Sequence, residues 1–67
     1  MGVYEWAIIG LLFEKGPLPI DKITQQIAGA DNENIGSAIV RLLDLRHIRV
    51  DDLYGGRIVY DLYGKKK

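Results

Sequence analysis

Apolar residues recur at three- and four-residue spacing along most of this chain and then switch to alternation near its end. The clearest stripe is Ile35, Ala38, Ile39, Leu42 and Leu45, which predicts one apolar face on a helix from about Asn32 to Arg46. Asp31 stands just before it, where a short carboxylate accepts the orphan backbone N–H groups of a first turn. The opposite face carries Asn34, Ser37, Arg41 and Asp44, flanked by Glu33, Gly36 and Val40. Such a helix packs one side and offers the other to something outside.

Upstream, Val3 to Lys15 reads as a helix with two apolar stripes. Tyr4, Ala7, Ile8 and Leu11 form one, Trp6, Ile9 and Phe13 the other, and Leu12 falls between them. Two readings stand. Either a three-helix core wraps this helix on two sides, or the Trp6–Ile9–Phe13 side meets a second subunit or a partner, because contiguous exposed apolar surface is uncommon on monomers. Gly16-Pro17-Leu18-Pro19 ends the helix, since the prolines cannot continue it. Leu18 and Ile20 suit a very short extended segment. A second helix is expected from Pro19 or Asp21 to Ala28, burying Ile20, Ile23 and Ile27 and exposing Lys22, Gln25 and Gln26. Gly29 closes it, and only about three residues lead into the third helix, the spacing of a helix-turn-helix.

Past Ile48 the period falls to two. A hairpin turning at Tyr54-Gly55-Gly56, with Gly56 left-handed in a three-residue loop, pairs Val50 with Tyr60 and Ile48 with Leu62 on an apolar face. Arg49 then lies opposite Asp61 on a polar face. A two-residue Gly-Gly loop would slip the register by one and mix the faces.

Composition narrows the chemistry. A 67-residue chain buries only about 60% of its unfolded surface, so packing must supply most of the stability. With 48% hydrophobic residues, no cysteine and one histidine, neither a disulfide nor a thiolate metal site is available. No nucleophile–base set, phosphate-binding glycine loop or metal-ligand spacing occurs, and Asp51 and Asp52 point to opposite faces of a strand. A protein that is not an enzyme and has no cofactor or metal is expected. Nothing resembles a signal peptide, and the longest apolar run, Trp6 to Phe13, is far short of the roughly 20 residues of a membrane span. A soluble protein, cytoplasmic or otherwise intracellular, is expected. His47, near the end of the third helix, reads as a cap residue.

The formal charge is zero, with nine basic and nine acidic residues, but Lys65, Lys66 and Lys67 hold three of the basic ones. Residues 1–64 are expected to form one domain with a net charge of −3, and residues 65–67 a disordered basic tail. A nucleic-acid module usually carries a basic surplus on its folded face.

The order of elements, with Ile23…Ile27, the Gly29 turn, the Ile35…Ile39…Leu42…Leu45…Ile48 ladder and the hairpin tipped by Tyr54-Gly55-Gly56-Arg57, resembles the winged helix-turn-helix superfamily. The resemblance implies an α+β fold: three helices followed by a two-stranded β-hairpin wing. Many members end the third helix with Leu-x-x-Leu-Gly-x-Ile. Here Leu42-Leu43-Asp44-Leu45-Arg46-His47-Ile48 puts Arg46 where glycine is usual, so a different turn into the wing is expected. Most members bind DNA in transcription regulation, with the third helix in the major groove and the wing on the backbone. Others are protein-interaction modules in the ESCRT membrane-remodelling machinery and in polymerase or ubiquitin-ligase assemblies.

Read for double-stranded DNA, Asn34, Ser37 and Arg41 are the groove candidates, because Asn pairs with adenine and Arg with guanine through two hydrogen bonds each. Gln25, Arg57, Lys65, Lys66 and Lys67 are the backbone candidates. Arg57 could equally be a solvated hairpin charge, and the tail an aid to solubility. Asp31, Glu33 and Asp44 repel phosphates, although Asp31 and Glu33 suit a helix N-terminus without any function. A homodimer through Trp6, Ile9 and Phe13 would double the thin set of cations. The alternative is a protein partner that adds a strand to the free hairpin edge or covers the apolar surface of helix one.

Overall fold

The computed structural model describes residues 2–54 and 57–64. The chain runs through α1 (Val3–Lys15), α2 (Ile20–Gln26), α3 (Asn32–Asp44), β1 (Ile48–Tyr54) and β2 (Arg57–Leu62), an α+β layout consistent with a winged helix. Ile8 and Leu12 of α1, Ile23 of α2, Ile35, Ala38, Ile39 and Leu42 of α3, and Ile48 of β1 form one buried cluster. The helical spacing of these positions sends one stripe from each helix to a shared centre.

Gly16 turns the chain out of α1 with φ 84° and ψ −159°, and its N–H donates to Leu12 O at 2.9 Å. That turn carries Leu18 alongside Tyr60, and the two exchange both backbone hydrogen bonds, at 3.0 and 2.8 Å. The short extended segment at Leu18 therefore becomes a third row beside the hairpin. β2 lies between it and β1, and β1 is the outer strand. α2 is shorter than its apolar pattern predicts. It stops at Gln26, and residues 27–31 carry the turn, with Gly29 at φ 78°.

The hairpin keeps the expected register, with Ile48 opposite Leu62, Arg49 opposite Asp61 and Val50 opposite Tyr60. It reaches that register differently. Tyr54 pairs with Arg57, so the strands close around Gly55 and Gly56 alone, and a shift between Asp51 and Tyr54 absorbs the extra residue. The expected left-handed Gly56 lies outside the described residues, as do Lys65, Lys66 and Lys67.

The two faces of the hairpin are not simply apolar-in and polar-out. Val50 is half exposed, while Val59 and Asp61, on the face expected to be polar and solvated, are buried. β2 is flanked by β1 on one edge and by Leu18 on the other, and near its end the side chains on both of its faces are wholly or partly buried. Asp61 Oδ1 accepts the Leu62 N–H at 2.8 Å, and Arg49 Nη1 approaches Asp51 Oδ2 at 3.5 Å along β1. Among the described residues, no helix is long and apolar enough to cross a membrane.

Candidate nucleic-acid interface

α3 is built to present one face. Asp31 caps it as expected, its Oδ1 accepting the Asn34 N–H at 2.8 Å. Glu33 sits in the first turn, where the positive end of the helix favours a carboxylate. Ile35, Ala38, Ile39 and Leu42 are buried, and Asn34, Ser37, Val40, Arg41 and Asp44 are exposed on the other side.

At its far end, α3 closes in a left-handed turn. Leu45 is the C-cap, and Arg46 takes φ 60°. Arg46 N–H donates to Leu43 O at 3.1 Å and His47 N–H to Leu42 O at 2.9 Å, the paired bonds of a Schellman motif. The turn into the wing therefore keeps a glycine-type geometry with arginine in it. Leu45, expected in the buried stripe, is half exposed because it lies past the last turn. Tyr63 N–H then bonds His47 O at 2.9 Å and ties the end of β2 to the start of the wing.

Asn34, Ser37 and Arg41 share one exposed stripe of α3, and Gln25 is exposed on α2. Arg41 is not a free cation: its Nε lies 3.4 Å from Glu5 Oε2 on α1. The Arg41 side chain is 67% exposed, so most of the guanidinium still faces outward. The Glu5 side chain is only 13% exposed, so the pair meets solvent on the Arg41 side alone, and Arg41 turns to another anion only by leaving that carboxylate less well paired. Ser37, Val40, Arg41, Asp44 and Leu45 line a shallow depression on this surface. Arg57 opens β2 opposite Tyr54, which sets its backbone at the end of the wing. On the outer face of α3 Arg41 is the one guanidinium, sharing that face with Glu33 and Asp44, and Arg49 of β1 is paired with Asp51, so the described residues form no basic field there.

Gly36 has no tight neighbour, since an added Cβ would meet only Ile20 Cδ1, at 3.9 Å. Gly36→Ala is therefore expected to stabilise the fold by about 1 kcal/mol through helix propensity. A chemical denaturation midpoint that moves down instead would show that this position needs the missing side chain.

Glu5 as the partner of Arg41 carries no signal in local spacing, because it depends on how α1 crosses α3. Val40 is exposed, as its place on the flank of the outer face predicts, and Leu45 joins it because α3 ends at Asp44. None of the protein-family models, curated proteins or solved structures compared with the chain matches it.

Proposed function

We propose that this chain is a non-enzymatic winged-helix module that docks the outer face of α3 in the major groove of double-stranded DNA and acts in transcription regulation inside the cell. The observation that supports this reading most is the exposed Asn34–Ser37–Arg41 stripe on a helix whose other face is fully packed. Amide, hydroxyl and guanidinium groups one turn apart match the donor and acceptor edges of successive base pairs. Arg41 exchanges its Glu5 contact for a base or phosphate. Arg57 and Lys65 to Lys67 meet the backbone from the wing and the tail, while Gln25 of α2 supplies a neutral hydrogen bond to a phosphate.

The test is titration against mixed-sequence duplex DNA at several salt concentrations. The few cations predict a shallow dependence, a slope of log K on log salt of roughly −3 to −4 per copy. An Arg41→Glu, Arg57→Glu double change is expected to weaken binding at least ~30-fold, since each lost or reversed contact is worth about 1 kcal/mol or more. Absence of binding even at low ionic strength would sink the reading.

One observation favours a second reading, an assembly or recruitment module that binds protein. Val40 and Leu45 are exposed beside Arg41, whose charge Glu5 already offsets, and β1 is an outer strand to which a partner strand could pair. On that reading Val40→Asp abolishes partner capture while the double charge reversal leaves it intact.

A further inference from the structure

The side of α1 turned away from the core is apolar. Ile8 and Leu12 face inward at 0% exposure, whereas Val3, Trp6 and Phe13 are 82%, 61% and 75% exposed on the other side. Gly10 lies among them, and a Cβ placed on it would meet nothing within 4 Å. Positions 3, 6, 10 and 13 fall on one helical stripe, and the two large rings flank a gap with no side chain.

We propose that a second copy of this chain covers this stripe, with the two α1 helices antiparallel about a two-fold axis level with Ile8. That arrangement sets Trp6 level with the partner's Gly10 and Val3 level with the partner's Phe13. Each indole enters the space over a glycine, and each phenyl ring meets a valine of modest size. Ile9, partly buried against the core, borders the seam on the Trp6 and Phe13 side. The stripe is self-complementary in size, which an isologous interface requires.

Area sets the strength. Val3, Trp6 and Phe13 offer on the order of 400 Å² per copy, and with their borders the pair reaches roughly 1,000 Å² in total, the low end of specific interfaces. The dimer is therefore weak, with a dissociation constant in the micromolar range. It stands independently of DNA binding, and where DNA is bound it doubles the cations on one duplex.

Sedimentation equilibrium without DNA, from low micromolar to several hundred micromolar chain, reads the association. The parent protein is expected to pass from monomer to dimer across that range. Trp6→Ala and Gly10→Gln are each expected to weaken association at least tenfold. Gly10→Gln should do so with a melting temperature no lower than the parent's, because the position is open in the monomer and glutamine is the better helix former. A parent that stays monomeric throughout, or a dimer indifferent to both changes, overturns the proposal. The antiparallel pairing has its own readout. The chain has no cysteine, so Val3→Cys and Phe13→Cys each carry a single thiol. A short bis-maleimide should link the two variants only when they are mixed, because like positions lie about 15 Å apart along the helices. Links within each variant alone, as a parallel pair would give, also overturn it.

Discussion

Leu42→Ala is expected to lower the melting temperature by about 15 °C, measured by circular dichroism. Leu42 is fully buried where α3 meets the rest of the cluster, so truncation removes its transfer energy and leaves a cavity that its neighbours fill only in part. Substitutions of this kind cost ~3 kcal/mol, and a domain this short loses roughly 5 °C per kcal/mol. The total stability of such a chain is only about 3–10 kcal/mol. A large share of the fold therefore rests on one side chain, with no disulfide to hold the remainder. Val40→Ala, on the exposed side of the same helix, is the contrast and should stay within ~0.5 kcal/mol of the parent. Equal melting curves for the two variants would mean that α3 does not pack on the Ile35–Leu42 face. The same substitution bears on function, because the Asn34–Ser37–Arg41 stripe is held outward by the burial of its reverse.

α3 was legible because everything that defines it is local. Asp31 lies three residues from the amide it caps, and the buried stripe follows the helical period up to Leu42. The hairpin register was legible for a related reason: a slip of one residue would carry Ile48 out of the core. The loop that delivers this register was not, because a three-residue loop and a two-residue tip with a bulge give the same pairing at Val50 and Tyr60. Periodicity alone constrains the pairing and is blind to the device. The burial of Val59 and Asp61 was out of reach, since the second face of a strand is covered through contacts between elements that no local alternation encodes. The pairing of Leu18 with β2 was out of reach in the same way, because it depends on the turn at Gly16. The candidate site divides in the same way. The exposed polar stripe of α3 could be read from spacing, whereas the Arg41–Glu5 contact joins two elements whose crossing no local pattern encodes. The Trp6 and Phe13 side of α1 lay open to two readings, and their exposure removes the one in which the core wraps it.

Gly16→Ala is expected to cost about 2–3 kcal/mol, far more than an exposed glycine substitution of the same size. The reason is backbone, not volume. Gly16 holds φ 84° with ψ −159°, a region that essentially only glycine occupies and that costs any other residue roughly 1–3 kcal/mol. The residue is also buried, so a Cβ has little freedom to relax. If the chain instead rotates φ to a negative value, it leaves α1 in another direction. Leu18 then cannot keep its two hydrogen bonds to Tyr60, and the third row of the sheet detaches. Both routes end in lost stability, but they leave different traces. Strain alone shifts the denaturation midpoint and leaves Leu18 and Tyr60 amides protected until global unfolding. Detachment makes those two amides exchange with hydrogen far faster than the buried amides of α3. Gly29→Ala supplies the comparison. Its φ of 78° is also positive, yet the position is exposed and an added Cβ meets nothing within 4 Å, so a cost of ~1 kcal/mol is expected. If Gly16→Ala costs no more than Gly29→Ala, then the exit from α1 does not depend on the backbone conformation at Gly16, and Leu18 must be held beside β2 by side-chain packing alone.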